Sequence, residues 1–306
     1  MSNFARKISD ITELQKMIQN DAAISKVYTE LISKGKALLA FRNNEATIYY
    51  NGNRLFSLQS KNNFVPTVYN QYLPITRSHL KNSANIAKEM YSEEQWKKET
   101  KISNLNFSEY MTEILENIEK DSSPESIQAS RFYRFSPLNS TERHEIVLLD
   151  IEAEFAAKGE KAERIDLVFY HTTRNELMFV EVKRLSDSRI KVKKTASGNN
   201  TPMVVNQLNG YKNKLVSEKA DVISEYNNVI DYYNTFATNA NKIPSIPENA
   251  NILLGLLLVE FKSSDKKAVS DIKALIKKND HKVYSIGNTV NATKDNTLAA
   301  IYKSFK

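Results

Sequence analysis

The chain has 306 residues, 41% of them hydrophobic, a length that allows one large domain or a core domain with a smaller unit attached. It contains no cysteine, which excludes disulfides, thiolate nucleophiles and cysteine-ligated metal centres. Its seven glycines form no phosphate-binding loop of the Walker or dinucleotide type, and its four histidines form no HExxH zinc motif. The formal charge of +7 suits a polyanionic partner without requiring one.

The sequence contains no segment suited to a membrane. The N-terminal stretch MSNFARKISDITELQ lacks the apolar core of a secretion signal, and the longest apolar run, Ile252 to Val259, is too short to span a bilayer. We therefore expect a protein of the cytoplasm that makes no use of a membrane.

The first third of the chain predicts a small α+β unit over residues 1–104. Helical spacing of apolar residues predicts a helix over 12–34, closed by Gly35, and a polar helix over 82–101. Between them, LLAFRNNEATIYYNGNRLFSL reads as three strands, because asparagine and glycine supply turns that tolerate positive φ. Its aromatic residues alternate with polar ones, as in a half-buried meander; they are Phe41, Tyr49, Tyr50 and Phe56.

The remainder, residues 105–306, predicts a larger unit in which helices surround a mixed sheet. Ser123 can cap a helix that Pro124 begins. β-Branched and aromatic residues predict three strands, and the long apolar run predicts a central buried strand. The predicted helices span residues 108–120, 123 onward, 201–217, 219–237 and 265–279, and the strands span 145–155, 164–171, 176–184, 251–261 and 281–287.

The second and third strands of this unit predict a hairpin that brings two acidic residues together. A turn over residues 172–175 in plain register pairs Asp166 with Glu181, and period two puts Lys183 on the same face as Glu181. Like charges directly opposite each other are destabilising. The neighbours are apolar on both faces: Ile165, Leu167, Phe169, Val180 and Val182 on one, and Val168, Tyr170, Leu177 and Phe179 on the other.

Such a pair needs a compensating positive charge, which either a bound divalent cation or Lys183 can supply. Among divalent cations, magnesium binds few protein carboxylates, keeps several waters and completes its shell with phosphate oxygens. Lys183 would then act on the phosphate or position the attacking water. From spacing alone, an ordinary diagonal ion pair between Glu181 and Lys183, with Asp166 solvated beside Arg164, explains the pattern equally well.

Asp166 followed by E181-V-K183 resembles the (D/E)-x(n)-(D/E)-x-K signature of the PD-(D/E)XK nuclease superfamily. The helix VVNQLNGYKNKL is similar to the Gln-x-x-x-Tyr motif of its RecB-like branch, with Gln207 and Tyr211 four residues apart on one helical face. The resemblance implies a restriction-endonuclease-like core of order αβββαβ, which residues 108–260 reproduce. It also implies that Mg²⁺ or Mn²⁺ binds Asp166 and Glu181, that Gln207 orients the water or Lys183, and that Tyr211 contacts the DNA backbone.

The resemblance further implies another acidic ligand upstream of the hairpin, and several residues compete for that position. Glu113 is preferred because it lies on the first core helix. The proline that names the superfamily is absent, since Arg164 and Ile165 precede Asp166. The other candidates are Glu109 and Glu116 on the helix and Asp150, Glu152 and Glu154, which alternate onto one face of the first long strand.

A basic segment follows the hairpin and predicts sequence-independent, salt-sensitive contacts with a phosphate backbone, unless it is only a charged solvated loop. Lys214, one turn beyond Gln207 and Tyr211, extends this predicted surface. The loop residues are Arg184, Arg189, Lys191, Lys193 and Lys194.

These observations predict a metal-dependent nuclease that hydrolyses phosphodiester bonds of nucleic acid, with DNA preferred. Two alternatives stay open: a catalytically inactive nucleic-acid-binding or interaction module on the same fold, and a protein whose charged hairpin is only an ion-pair lattice. The N-terminal unit carries no recognisable chemistry, and a target, a partner protein or a second copy of the chain can be its ligand. By family analogy, a bacterial nuclease with such an added unit resembles restriction or anti-phage defence proteins.

Overall fold

The computed structural model describes residues 5–74, 88–155, 163–191, 201–237, 242–287 and 295–306. These residues form two five-stranded sheets and nine α-helices, so the mixed α/β class is confirmed. The helices are α1 (Ile11–Asn20), α2 (Ala22–Glu30), α3 (Glu93–Thr100), α4 (Met111–Asp121), α5 (Pro124–Ser130), α6 (Met203–Ser217), α7 (Lys219–Phe236), α8 (Lys266–Lys278) and α9 (Asp295–Phe305). The strands are β1 (Ala37–Arg42), β2 (Glu45–Tyr50), β3 (Asn53–Gln59), β4 (Pro66–Tyr69), β5 (Met90–Tyr91), β6 (Ile146–Phe155), β7 (Glu163–His171), β8 (Glu176–Arg184), β9 (Asn251–Val259) and β10 (Lys282–Ser285).

The first sheet is an antiparallel meander, β1 to β5 in chain order, with two strands more than the three predicted. Its predicted turns are confirmed, because Asn44, Asn51 and Gly52 have φ of 54°, 49° and 78°.

The single helix predicted over residues 12–34 is wrong. Asp21 divides it, since its carboxylate accepts hydrogen bonds from the backbone N–H groups of Ala23 and Ile24 and so caps a new helix. The polar helix predicted over residues 82–101 is wrong where β5 forms; α3 begins only after Ser92, which caps it, and residues 82–87 lie outside the described residues.

The second sheet has the order β10-β9-β8-β7-β6. Strand β7 pairs antiparallel with β6 and with β8, whereas β9 runs parallel to both β8 and β10. The predicted hairpin register is confirmed from Leu167 opposite Val180 to His171 opposite Glu176. Strand β9 lies inside the sheet, as its apolar sequence predicted.

Two clusters of buried apolar side chains cover the sheets, and the larger one extends from the first sheet into the second. Tyr233 on α7 joins the two sheets directly, because its hydroxyl lies 2.6 Å from the carbonyl oxygen of Leu39 on β1 and 3.2 Å from that of Leu149 on β6. The boundary predicted near residue 104 falls between α3 and α4. Within the part of the chain described above, no helix is both long and apolar enough to cross a membrane.

Candidate active site

Lys183, near the end of β8, lies at the centre of a cluster of carboxylates. Its Nζ is 2.5 Å from Oε1 of Glu181 and 3.5 Å from Oδ2 of Asp166. Glu125, from the first turn of α5, approaches the same nitrogen with Oε1 at 3.3 Å, and Lys183 also donates to the carbonyl oxygen of Val182 at 2.8 Å. Three acidic residues from three different elements therefore share one ammonium group.

Asp166 lies where backbone pairing between β7 and β8 stops. The last paired residues are Leu167 and Val180, and one residue further on the Asp166 carboxylate accepts the N–H of Val182 at 2.6 Å. A side chain therefore replaces a backbone carbonyl as the partner of β8. Asp166 and Glu181 meet on neighbouring strands, as the register predicted, and Arg164 pairs with the exposed Glu154 at 3.4 Å instead of flanking Asp166.

The alternation of side chains breaks at the same level of the sheet. Ile165 packs in the larger apolar cluster, although Leu167 packs in the smaller one, so the prediction that they share a face is wrong. Opposite them on β6, Glu152 has φ of 47°, between Ile151, which pairs with Leu167, and Ala153, which pairs with Ile165. A glutamate in the left-handed region is strained, and such strain collects at functional sites.

Glu181 is the most deeply buried of the acidic residues in this cluster, with 1% of its side chain exposed. Burial, reinforced by the negative charge of Asp166, raises its pKa to about 8 against the opposing effect of Lys183. One carboxylate oxygen binds Lys183, whereas the other, Oε2, is buried and receives no hydrogen bond from any described residue. A buried carboxylate oxygen without a donor is costly. Oε2 of Glu176, at the other end of β8, is in the same state, but only Glu181 shares its cation with two further carboxylates, and this combination suggests a cationic ligand.

The pKa values of the other charged residues in the cluster are shifted as well. Burial raises the pKa of Asp166 and of Glu125, and the ammonium of Lys183 opposes both shifts. Burial by itself lowers the pKa of Lys183, but the charges of Asp166, Glu181 and Glu125 outweigh it and raise this pKa. Lys183 is therefore a firmly protonated cation that faces more negative charge than it can neutralise.

The upstream acidic residue of the site differs from the one predicted. Glu113 is exposed on α4, a helix that packs against the first sheet, and it does not join the cluster. Glu125 supplies the third carboxylate, because the turn between α4 and α5 brings the start of α5 against β8. The Ser123–Pro124 helix start was the signal that could have indicated Glu125.

The other upstream candidates have different environments. Glu109 and Glu116 are exposed on the surface near α4. Asp150 is buried against Arg6 and Arg42, which makes it part of a separate ion-pair network. The predicted common face of Asp150, Glu152 and Glu154 is wrong, because a register shift beside Asp150 and the positive φ of Glu152 interrupt the alternation of β6.

Gln207 and Tyr211 contact each other on α6, as their spacing predicted. The Gln207 amide nitrogen lies 2.6 Å from the Tyr211 hydroxyl, which donates to the carbonyl oxygen of Arg164 on β7. Tyr211 is fully buried, so it holds the backbone two residues before Asp166 instead of lying on the surface where a DNA backbone would pass. Gln207 acts on this strand through Tyr211.

The predicted basic surface is only partly described. Arg184 pairs with Glu260, and Arg189 pairs with Asp187 and lies 3.9 Å from Glu125, so these two guanidinium groups are already engaged with carboxylates. Lys191 is exposed and Lys214 is partly buried on α6. Lys193 and Lys194 lie outside the described residues.

A cavity of about 300 Å³ opens beside Asp166. Its walls come from α5, from β6 and β7 of the second sheet, and from the β2–β3 turn of the first sheet. The lining residues are Gly52, Ser123, Glu125, Ser126, Ala129, Tyr133, Ile151, Glu152 and Asp166. The carboxylates of the cluster thus border a space that a ligand can enter, and Glu152 adds another acidic group to it.

The carboxylate oxygens of the cluster are the type of ligand that a hard divalent cation binds, but they are not positioned around a common point. Carboxylate oxygens are the ligands that Mg²⁺ prefers, and the free Oε2 of Glu181 is such an oxygen. Among the described residues, however, no three acidic or histidine side chains converge on a common point as ligands of one metal ion. In this arrangement Asp166 and Glu181 both turn toward the ammonium of Lys183.

Comparisons of the chain with protein-family models, with curated proteins and with solved structures found no match. The interpretation of the site therefore depends on its own residues and geometry.

Proposed function

We propose that the protein is a divalent-metal-dependent nuclease that hydrolyses phosphodiester bonds of nucleic acid, with DNA as the preferred substrate. The observation that carries this proposal is the cluster around Lys183: three carboxylates share one ammonium, and one buried oxygen of Glu181 has no donor among the described residues. The surplus negative charge matches a dication, which two carboxylates on adjacent strands can bind.

Each residue has a distinct role in this proposal. Asp166 and Glu181 hold the cation, with Glu125 and Glu152 nearby as further acidic groups, while Val182 fixes Asp166 through its N–H. A bound Mg²⁺ or Mn²⁺ would polarise the phosphate and lower the pKa of a coordinated water. Lys183 supplies a fixed positive charge for the phosphate, and Gln207 and Tyr211 hold the backbone of β7 in position.

The direct test compares metal-dependent cleavage by purified variants. Glu181→Ala and Asp166→Ala should lose divalent-dependent cleavage of linear, circular and single-stranded substrates while remaining folded. The matched control is Glu176→Gln, because Glu176 is also a buried glutamate of β8 but lies at its other end, 3.2 Å from Lys306. Full cleavage by Glu181→Ala would refute the assignment.

One observation favours a second candidate, a nucleic-acid-binding or interaction module without turnover. Lys183 already forms a 2.5 Å ion pair with Glu181, and no described group has the arrangement of a metal site. Here Lys183 is the permanent counter-ion of the cluster. This candidate predicts salt-dependent nucleic-acid binding that Asp166→Asn leaves intact or improves.

A thermal shift distinguishes the two candidates before any substrate is chosen. A ligand that binds only the native state raises its stability by mass action. Mg²⁺ or Mn²⁺ should therefore raise the melting temperature of the wild-type protein and of Glu176→Gln, but not that of Glu181→Ala. An unchanged wild-type melting temperature at millimolar metal would favour the module without turnover.

A further inference from the structure

The cavity beside Asp166 is built from both sheets, although the sequence showed no chemistry in the N-terminal unit. The β2–β3 turn reaches α5 so closely that a Cβ atom on Gly52 would lie 2.3 Å from Cβ of Ser126. Gly52 also has φ of 78°, which only glycine adopts easily. The first sheet therefore forms one wall of the space that Asp166 and Glu152 border.

Tyr133 supplies a polar group in this cavity that the proposed reaction does not use. The side chain is fully buried; the backbone of Gly52 approaches the oxygen of its hydroxyl, and the O–H proton has no acceptor among the described residues. Burial raises its pKa well above the usual value, although the backbone of Gly52 lowers it somewhat, so the group is a neutral O–H donor. Buried hydroxyls are normally bonded, and Tyr170 follows that rule, with Asn175 and Ser245 at 3.2 Å.

We propose that this cavity binds one nucleotide unit of the substrate strand, with the Tyr133 hydroxyl donating to a phosphate or sugar oxygen and the turn at Gly52 closing the far side. This inference rests on the proposed nuclease function. The volume of about 300 Å³ is at the lower end of small-ligand pockets and admits an unpaired nucleotide, whereas a base-paired duplex cannot enter.

The negative charges that line the cavity determine under which conditions a nucleotide can bind. Glu125, Glu152 and Asp166 all line it, so a bare phosphate is repelled. The nucleotide can bind only when a dication neutralises these carboxylates. Binding should therefore require a divalent metal, favour an unpaired strand over a duplex, and depend on Tyr133.

The experiment measures binding of a fluorescent four-residue oligothymidylate to the full chain in Ca²⁺, with a blunt duplex as competitor. Tyr133→Phe removes only the hydroxyl, and we expect it to weaken binding of the oligothymidylate about tenfold, the loss of one hydrogen bond of ~1.4 kcal/mol. Tyr170→Phe is the matched control, because it removes a buried hydroxyl that already has partners, and binding should not change.

Two further measurements separate recognition from folding. The melting temperature of Tyr133→Phe should stay close to that of the wild type, because the O–H of Tyr133 donates to no acceptor of the described chain, whereas Tyr170→Phe should melt lower. Ala129→Leu fills the cavity and should abolish binding of the oligothymidylate while keeping the metal-induced rise in melting temperature.

The outcomes distinguish this inference from the nuclease proposal. If the wild-type protein cleaves nucleic acid but Tyr133→Phe binds the oligothymidylate as tightly as the wild type does, the nucleotide site is refuted and the nuclease proposal stands. The same holds if the wild-type protein cleaves and binds duplex as tightly as single strand. Metal-dependent, Tyr133-dependent binding without cleavage supports the nucleotide site and refutes turnover. If the wild-type protein does not bind the oligothymidylate in Ca²⁺, the nucleotide site is refuted.

Discussion

Two buried charged clusters lie in the second sheet, one around Asp150 and the other around Lys183, and they differ in how their charges are balanced. In the first, one carboxylate meets two guanidinium groups, with Arg6 at 3.0 Å and Arg42 at 2.8 Å, and Tyr226 lies 3.3 Å from the same carboxylate. In the second, one ammonium meets three carboxylates.

The two clusters also differ in whether their carboxylate oxygens receive hydrogen bonds. Both oxygens of Asp150 have donors, because Ile151 donates its N–H to Oδ1 and the arginines bind the carboxylate from the other side. Glu181 keeps one buried oxygen without a donor. A cluster that joins the N-terminal segment to the sheet is complete by itself, whereas the cluster at the cavity has surplus negative charge and a free ligand atom. The proposed function depends on this contrast between a balanced charge cluster and an unbalanced one.

The sharpest test of this contrast is to neutralise one acid in each cluster. Asp150→Asn leaves Arg6 and Arg42 buried without a counter-charge and should lower the free energy of unfolding by about 3–5 kcal/mol. Asp166→Asn should change it by less than ~1 kcal/mol, because Lys183 retains Glu181 and Glu125. Urea unfolding measures both values, and equal losses would remove the distinction.

The pH dependence of stability tests the surplus charge directly. In the metal-free protein, burial raises the pKa of Glu181 from 4.5 to about 8, so the folded state holds a proton that the unfolded state has already released. The free energy of unfolding should therefore fall as pH rises from about 4.5 to 8. Glu181→Gln should reduce this slope. The wild-type slope in Glu181→Gln would contradict the prediction.

The smallest expected effect concerns backbone strain at Glu152. Its φ of 47° costs energy for a glutamate but not for glycine, so Glu152→Gly should raise the free energy of unfolding by roughly 0.5–1 kcal/mol. Glu154→Gly, on the same strand without positive φ, should lower it by a similar amount. Chemical denaturation of the two variants provides the check, and destabilisation by Glu152→Gly would show that this conformation stores no strain.

Local patterns accounted for much of the fold. The bounds of eight strands agree closely with the predicted ones, because period-two patterns, β-branched residues and asparagine–glycine turns act over a few residues, whereas the short strands β4 and β5 were not predicted. The register of β7 and β8 followed from the length of the Thr172–Asn175 turn, and that register brought Asp166 and Glu181 together. The contact between Gln207 and Tyr211 followed from helical geometry alone.

Other features depend on contacts between distant parts of the chain. Glu125 is 58 residues from Lys183, and although Ser123 and Pro124 mark the start of its helix, the local sequence does not show that this helix packs against β8. The strained Glu152 depends on how β6 pairs with β7, and the cavity depends on a glycine turn of one sheet reaching a helix packed on the other.

The sequence by itself determined most of the strands, the hairpin register and the meeting of two acids with Lys183, because each follows from the geometry of neighbouring residues. Only the tertiary structure decided which third acid completes the cluster, which acids are already neutralised by arginine, and that Tyr133 and Gly52 line the site. Those outcomes depend on burial and on the packing of separate elements, which determine the local dielectric environment and the available partners of each charge.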